Sequence, residues 1–488
     1  MEDIHYATAT EISSRVRRGD LSPTDVVERF LERIARRNDD LTAYVTVIEE
    51  DARDAARRLE RARREGESLG ALAGVPIALK DLYGFKEGVR QTFGSVPFRD
   101  TVAEHDSTFV KRLEDAGAIV LGMTNTPEFG HKGVTDNELF GPTSNPFDPD
   151  RNAGGSSGGS AAAVVDGLAT LAHGGDAGGS LRIPAAFSGA YTIKPTYRRV
   201  ASTARPNAFI GTFGNFVHHG PITRTVEDAA LMLDVMAGPH PRDPTCLPDD
   251  GTDFRRATER SVDDFDIAYT PDFGTFPVDR RVRTIVGEAV EAFERAGATV
   301  ERVDADLPYA HDELTDVWKA MTAATYAAMD ERLKAERGID LLGEHRSNVA
   351  DEVVELIERG QDVSAVEYQQ YQGVQTAVFD SMRDVFDDYE LLVSPTVACP
   401  PVENSRKGVT LGPSEIDGTP VDPTIGWCLT HFFNFTGQPA ASLPAGFTDD
   451  GLPVGMQVVG PRFADGRVLT ASAAFENVRP WFDAYPPR

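Results

Sequence analysis

The chain has 488 residues, 41% of them apolar, which suffices for a sizeable core, and its 77 acidic against 49 basic side chains leave a net charge of −28. That surplus repels phosphate backbones and anionic bilayers, so neither nucleic acid nor a membrane is expected as a partner. Cys246, Cys399 and Cys428 are too few and too scattered for a disulfide framework or a metal knuckle, and are expected as buried thiols.

By length alone the chain could hold roughly three domains, although large α/β enzymes often form one unit. Its start, Met1-Glu2-Asp3-Ile4-His5-Tyr6, has neither a basic nor an apolar leader region, and no apolar run approaches the ~18 residues of a membrane span. A soluble cytoplasmic protein is the expectation. Arginine far outnumbers the eight lysines, and with the acidic surplus this reads as salt adaptation: at high ionic strength the self-repulsion is screened.

Residues 1–70 read as helical and charged. Ser22 and Pro23 open a helix whose apolar face is Val26, Val27, Phe30, Leu31 and Ile34, and the arginine-rich run 53–64 reads as a solvated helix face. From Ala73 the pattern alternates strand and helix. Val75 to Leu79 reads as a buried strand that delivers Lys80 at its end, either as a desolvated base or as half of an ion pair with Asp81 or another carboxylate. Asp106 or Ser107 caps a helix carrying Phe109, Val110 and Leu113, and Ala118–Gly122 follows as a buried strand, a right-handed βαβ crossover. The loop 123–130 then lies at the strand's carboxyl end, where open α/β sheets place ligands.

Two glycine-flanked serines follow, Ser156 in Gly154-Gly155-Ser156-Ser157-Gly158-Gly159-Ser160 and Ser180 in Gly174-Gly175-Asp176-Ala177-Gly178-Gly179-Ser180-Leu181-Arg182. Between them, 161–165 and 168–172 are small apolar residues suited to a buried helix and strand, so the turns are pinned rather than tethers. Gly155-Ser156-Ser157-Gly158-Gly159 formally fits a nucleophile elbow, but 145–152 is no buried strand, and no G-K-[ST] closes a phosphate loop. Ile183 to Phe187 begins a helix, so the amides of Ala177, Gly178, Gly179 and Ser180 could converge on an oxyanion. Asp176 and Arg182 flank the turn as a buried pair that sets its shape, or act in catalysis directly. His173 reads as a structural hydrogen-bond donor.

Thr225 and Asp228 form a capping pattern for a helix. A Pro- and Asp-rich stretch, 239–248, precedes a second βαβ unit: a strand at 265–269, a helix with Val282, Ile285, Val286, Ala289 and Phe293 inward, and Val300 on the next strand. Residues 311–390 read as helices over a pocket mouth, and 391–395 as a core strand. Trp427, His431, Phe432, Phe433 and Asn434 form an aromatic patch, either core or the lining of an apolar acyl pocket. His218 and His219 are adjacent and point apart, which argues against zinc.

Lys80 in G-V-P-I-A-L-K-D, Ser156 in G-G-S-S-G-G-S-A-A-A and Ser180 in G-G-D-A-G-G-S-L-R-I-P-A, in this order, resemble the amidase signature family. The resemblance continues to Asn434-Phe435-Thr436-Gly437-Gln438-Pro439-Ala440 and Gly451–Gln457, nearly the whole chain. It implies an α/β/α sandwich around a large mixed, mostly parallel twisted sheet in one domain. That domain comprises a helical region 1–70, a catalytic core 71–240, a variable cap and sheet region 241–400 and the rest of the core 401–488. It also implies hydrolysis of a small-molecule carboxamide, with no metal and no cofactor. Ser180 would be the nucleophile, Ser156 the proton relay on a cis Gly155-Ser156 peptide, Lys80 the base, and Ser157 a hydrogen-bond partner that aims Lys80. Asn125, Phe129, Trp427 and Phe433 are candidate substrate contacts, and a homodimer is the prior for assembly. The nearest alternative is the glutaminase component of a tRNA-dependent amidotransferase. That branch typically has Gln at the position of Ile183 and S-L-D-Q where this chain has Phe216-Val217-His218-His219. An esterase or a non-catalytic binder on the same scaffold is the other.

Overall fold

The computed structural model describes residues 3–203, 205, 207–209 and 216–485. Thirteen strands are found among them: β1 Tyr44–Val47, β2 Pro76–Lys80, β3 Ile119–Thr124, β4 Leu171–Asp176, β5 Tyr191–Lys194, β6 His218–Thr223, β7 Asp266–Tyr269, β8 Thr299–Arg302, β9 Leu391–Pro395, β10 Glu415–Ile416, β11 Thr419–Pro420, β12 Ala440–Phe447 and β13 Pro453–Val459. β10 and β11 form a small hairpin, and the other eleven make one sheet in the order β1-β3-β2-β4-β6-β5-β12-β13-β9-β7-β8, with helices packed against it.

The expected α/β sandwich on a mixed sheet is present. Its parallel pairings gather in two groups, β3-β2-β4 and β9-β7-β8, where the helices 108–115 and 280–295 make the two anticipated βαβ crossovers. Between these groups the pairings from β4 through β6, β5, β12 and β13 to β9 are antiparallel, as is β1 on β3. Among the described residues the main hydrophobic core draws on positions from Ile4 to Trp481, and a second, smaller cluster gathers Phe98, Phe129, Met329 and Leu333. The strands β2, β4 and β6 are buried throughout, so the chemistry they bear is shielded from water on both faces of the sheet.

Local reasons account for the outlines. Pro23 sits in the first turn of the helix Pro23–Leu41, although the Ser22 hydroxyl donates to Glu60 instead of capping it. Ser107 holds the N-cap position of Thr108–Asp115, while its hydroxyl donates to Tyr83 O and accepts from Phe85 N–H. Thr225 caps Val226–Met236 by accepting from Asp228 N–H, and the Asp228 carboxylate accepts from the Ala9 and Thr10 amides at the start of another helix. The one unanticipated element in 1–70 is β1, a short strand with only Tyr44 fully buried. Among the described residues no helix is long and apolar enough to cross a membrane. Cys399 and Cys428 are buried, Cys246 is half-buried, and all three are free thiols.

Candidate active site

β2 ends on Lys80, and burial on both sheet faces leaves its amine no water: its Nζ donates to Ser156 Oγ at 2.7 Å. Desolvation lowers its pKa to about 7 from the usual 10.5, and the Asp176 carboxylate opposes that fall. Asp81 is not the partner of Lys80. Its carboxylate accepts from Gln91 Nε2, the Thr92 amide and the Thr92 hydroxyl, and Lys80 forms no ion pair with any carboxylate among the described residues, its one hydrogen bond being to Ser156. Ser156 stands on a cis Gly155-Ser156 peptide, as the resemblance implies, at the foot of the all-buried helix Gly158–Val165. Its hydroxyl is tied only to Lys80 among the described residues.

Ser180 lies in the turn after β4. The Ser157 amide donates to Ser180 O at 3.2 Å, which clamps the two serine turns together. Ser180 is half-buried whereas Lys80 and Ser156 are buried, so the expected nucleophile is the member of the row open to a substrate. The second link of the expected row is not closed: Ser180 Oγ makes no hydrogen bond among the described residues. Catalytic hydrogen bonds are often long in unliganded enzymes and tighten when substrate fills the gap.

Two expectations need correction here. Ser157 does not aim Lys80. Its hydroxyl exchanges weak bonds with the Gly175 carbonyl and amide, 3.3 and 3.4 Å, and so holds the nucleophile turn. Gly179 N–H is not an oxyanion donor either, because it donates to Asp176 Oδ1 at 2.7 Å. The amides of Ala177, Gly178 and Ser180 have no protein acceptor among the described residues. The carbonyls of this turn are held from outside it: Trp318 Nε1 donates to Ala177 O at 3.0 Å and the Thr430 hydroxyl to Gly178 O at 2.6 Å. Glycine is required at two positions. A Cβ on Gly178 would lie 2.7 Å from the Trp318 ring, and Gly179 has φ +131° with a Cβ site 2.2 Å from Thr430 Oγ1.

Asp176 and Arg182 form the buried pair that the sequence suggested, with Nε–Oδ2 at 3.0 Å and Nη2–Oδ1 at 3.1 Å. Burial by itself would raise the Asp176 pKa, but Arg182 overrides it and holds the carboxyl well below the usual carboxylate range. Arg182 donates further to Asn434 Oδ1 at 2.7 Å and Gln457 Oε1 at 3.2 Å, and Asn434 Nδ2 returns to Asp176 Oδ1 at 2.8 Å. The two late segments of the resemblance thus act on the nucleophile turn from behind it. Asp176→Asn and Arg182→Met each strand a buried partner and are expected to cost about 3–5 kcal/mol of stability, read as a shift in urea midpoint. Changes under ~1 kcal/mol would show that the pair is not what fixes the turn.

Of the four candidate substrate contacts, three belong to the core. Asn125 donates to Gly141 O and Thr143 Oγ1 and accepts from Asn137, bracing the loop after β3. Trp427 is buried and stacks on Phe187, and Phe433 packs on Phe273 and Phe432. Their roles follow from tertiary placement, and the core reading of that aromatic patch holds. Phe129 does line a cavity of about 820 Å³. Its neighbour Gly130 abuts the relay, since a Cβ there would be 3.2 Å from Ser156 Oγ. Tyr83, another wall residue, is as close to a Cβ on Gly175. Lys80, Ser156 and Ser180 are not among the cavity's lining residues. Sequence reasoning missed Trp318 and Thr430, whose only signal is the glycine they pack against.

His173 pairs with His219, Nε2 to Nδ1 at 3.3 Å, and stacks on Phe109, against which His219 packs at a tilt. Burial, then the neighbouring imidazole and Lys80, hold His173 well below its ordinary pKa, which makes it a weak base. His218 turns the other way, to Phe216 O at 2.6 Å and Asp176 O at 3.2 Å. No cluster of metal-ligating side chains occurs among the described residues.

The sequence profile of the Amidase family matches residues 25–469. The chain belongs to the amidase signature family. It is similar to an acylamidase of Rhodococcus erythropolis, 36% identical over 486 residues that cover 99% of this chain and 98% of the relative. It is also similar to a component of the glutamyl-tRNA(Gln) amidotransferase of Moorella thermoacetica, 35% identical over 490 residues and 97% of each chain. Among solved structures, a bacterial aryl acylamidase of the amidase signature family superposes with a TM-score of 0.96 at 43% identity, covering 99% of both chains. The fold is therefore the amidase signature fold, and the protein is an amidase that hydrolyses amide C–N bonds.

Proposed function

We propose that this amidase works alone on acyl amides, through an acyl-enzyme on Ser180 with Ser156 as relay and Lys80 as base. The observation that carries the reading is a wholly buried amine, with its pKa brought to about 7, 2.7 Å from the Ser156 hydroxyl. Neutral Lys80 draws the Ser156 proton, and Ser156 takes that of Ser180 as Ser180 Oγ attacks the amide carbonyl. The oxyanion forms against the amides of Ala177, Gly178 and Ser180, where losing one donor typically costs ~2.7–4 kcal/mol. Ser156 then returns the proton to the leaving nitrogen, and water releases the acyl group by the reverse path.

Similarity to the R. erythropolis acylamidase and to the 43% identical aryl acylamidase supports an acyl or aryl-acyl amide over glutamine. The chain's own residues agree: Ile183, buried under Gly179, occupies the position where the glutaminase branch typically carries a polar Gln. A panel of acetanilide, aliphatic amides and glutamine, assayed for amine or ammonia release, tests this. Preference for glutamine, or copurification with a tRNA-binding partner, would overturn it. The charge of −28 supports a protein without nucleic-acid partners and one adapted to salt. Its melting temperature is expected to rise between low and molar salt, and a flat curve would refute salt adaptation.

A further inference from the structure

The 820 Å³ cavity has a wall of mixed character. Phe93, Phe98, Phe129, Met329 and Leu333 make part of it apolar. Lys111, Arg112, Arg198, Arg205, Arg242, Arg332 and Arg337 also line it, against only Asp106, Asp115 and Glu336 among the described carboxylates. In a chain whose acids outnumber its bases by 77 to 49, this local reversal of sign is opposite to the background. Some of these cations are committed. Arg112 donates to the carbonyls of residues 236–239, and Arg198 lies 3.7 Å from Asp243. Arg332 is different: half-buried on the helix His311–Arg337, one residue from Leu333, it has no hydrogen bond or ion pair among the described residues. A guanidinium held beside apolar wall residues without a counter-charge favours a planar anion.

We propose that this cavity receives the amine half of the substrate and that this half is aromatic and bears a carboxylate, with Arg332 as its counter-charge. The proposal rests on the acyl-enzyme reading in one respect. Gly130, the chain neighbour of the wall residue Phe129, is packed against Ser156, the group that hands the proton to the departing amine, and this puts the amine on the cavity's side of the scissile bond. An aminobenzoate amide suits such a wall, which offers apolar side chains such as Phe129 and Met329 to its ring and the Arg332 guanidinium to its carboxylate.

The test compares 4-acetamidobenzoate with its neutral isostere 4-methylacetanilide. Dissociation constants are measured by calorimetry on Ser180→Ala protein, so that binding is read whether or not turnover occurs, and kcat/KM is measured on the intact enzyme. The expected result is roughly tenfold tighter binding of the carboxylate, the size of a charge-assisted contact, with an advantage that shrinks as salt is added. The overall charge of −28 predicts the reverse, an anion that binds worse and is helped by salt. Arg332→Leu removes the preference and Arg332→Lys restores most of it, with melting curves to verify folding. Equal or weaker binding of the carboxylate, or a preference that survives in Arg332→Leu, would overturn the proposal. Failure of the intact enzyme to hydrolyse either anilide would instead overturn the acylamidase reading, and the dissociation constants would still decide the anion site.

Discussion

Ser180→Ala is expected to lower kcat for acetanilide on the order of a million-fold, toward the level that binding and the oxyanion amides sustain without a nucleophile. The substitution removes one half-buried oxygen that makes no hydrogen bond among the described residues, so stability and substrate affinity should hardly change. The effect is therefore confined to kcat, and this separates a nucleophile from a structural serine. Intact-mass analysis of wild-type enzyme quenched during turnover of a slowly deacylated ester should show one added acyl group, on the peptide that carries Ser180. An acyl group on Ser156 instead would reverse the roles of the two serines.

Lys80→Met should reduce amide turnover by about 10²–10⁴-fold, the range of a lost general base, with a smaller loss for the matching ester. An alkoxide leaves without prior protonation, whereas an amine must receive the proton that the relay returns. The pH dependence follows from the same amine. With its pKa brought to about 7, Lys80 is neutral above that value and protonated below it, so kcat/KM should fall tenfold per pH unit on the acid side of about 7. Without burial the limb would lie near 10.5. Stability moves with the same group. Between about 7 and 10.5 the unfolded chain holds a proton that the folded chain lacks, so this lysine costs stability that is recovered only as pH rises through that window. Lys80→Met should accordingly melt higher than the wild type while working far more slowly, as expected of a site that trades stability for function.

The parts of this site that sequence reasoning reaches are those written in contiguous residues. Val75 to Leu79 spells a buried strand, and so places Lys80 in a dry position; the spacing of Asp176 and Arg182 across a glycine turn foretells their pairing. What it does not reach depends on distant chain. Gly179 looks like an amide donor until the Asp176 side chain folds back onto it, a matter of one rotamer. Asn125, Trp427 and Phe433 have the chemistry of a binding site, but the loop after β3 and the packing around Phe187 and Phe273 absorb them. Trp318 and Thr430, which hold the oxyanion turn from outside, come from distant segments that share no local pattern with it. The same limit applies to the sheet. The two βαβ units are local and legible, whereas the antiparallel middle is built by β12 and β13 inserting between β5 and β9, a pairing that no window of sequence contains.

Catalysis by this row of side chains requires an uncharged amine at the end of β2. With eight lysines in the chain, ¹³Cε labelling and assignment against Lys80→Met give its titration directly. A midpoint near 7 is the predicted result, and a Lys80 signal that stays protonated until about pH 10, where an exposed lysine titrates, would contradict the account.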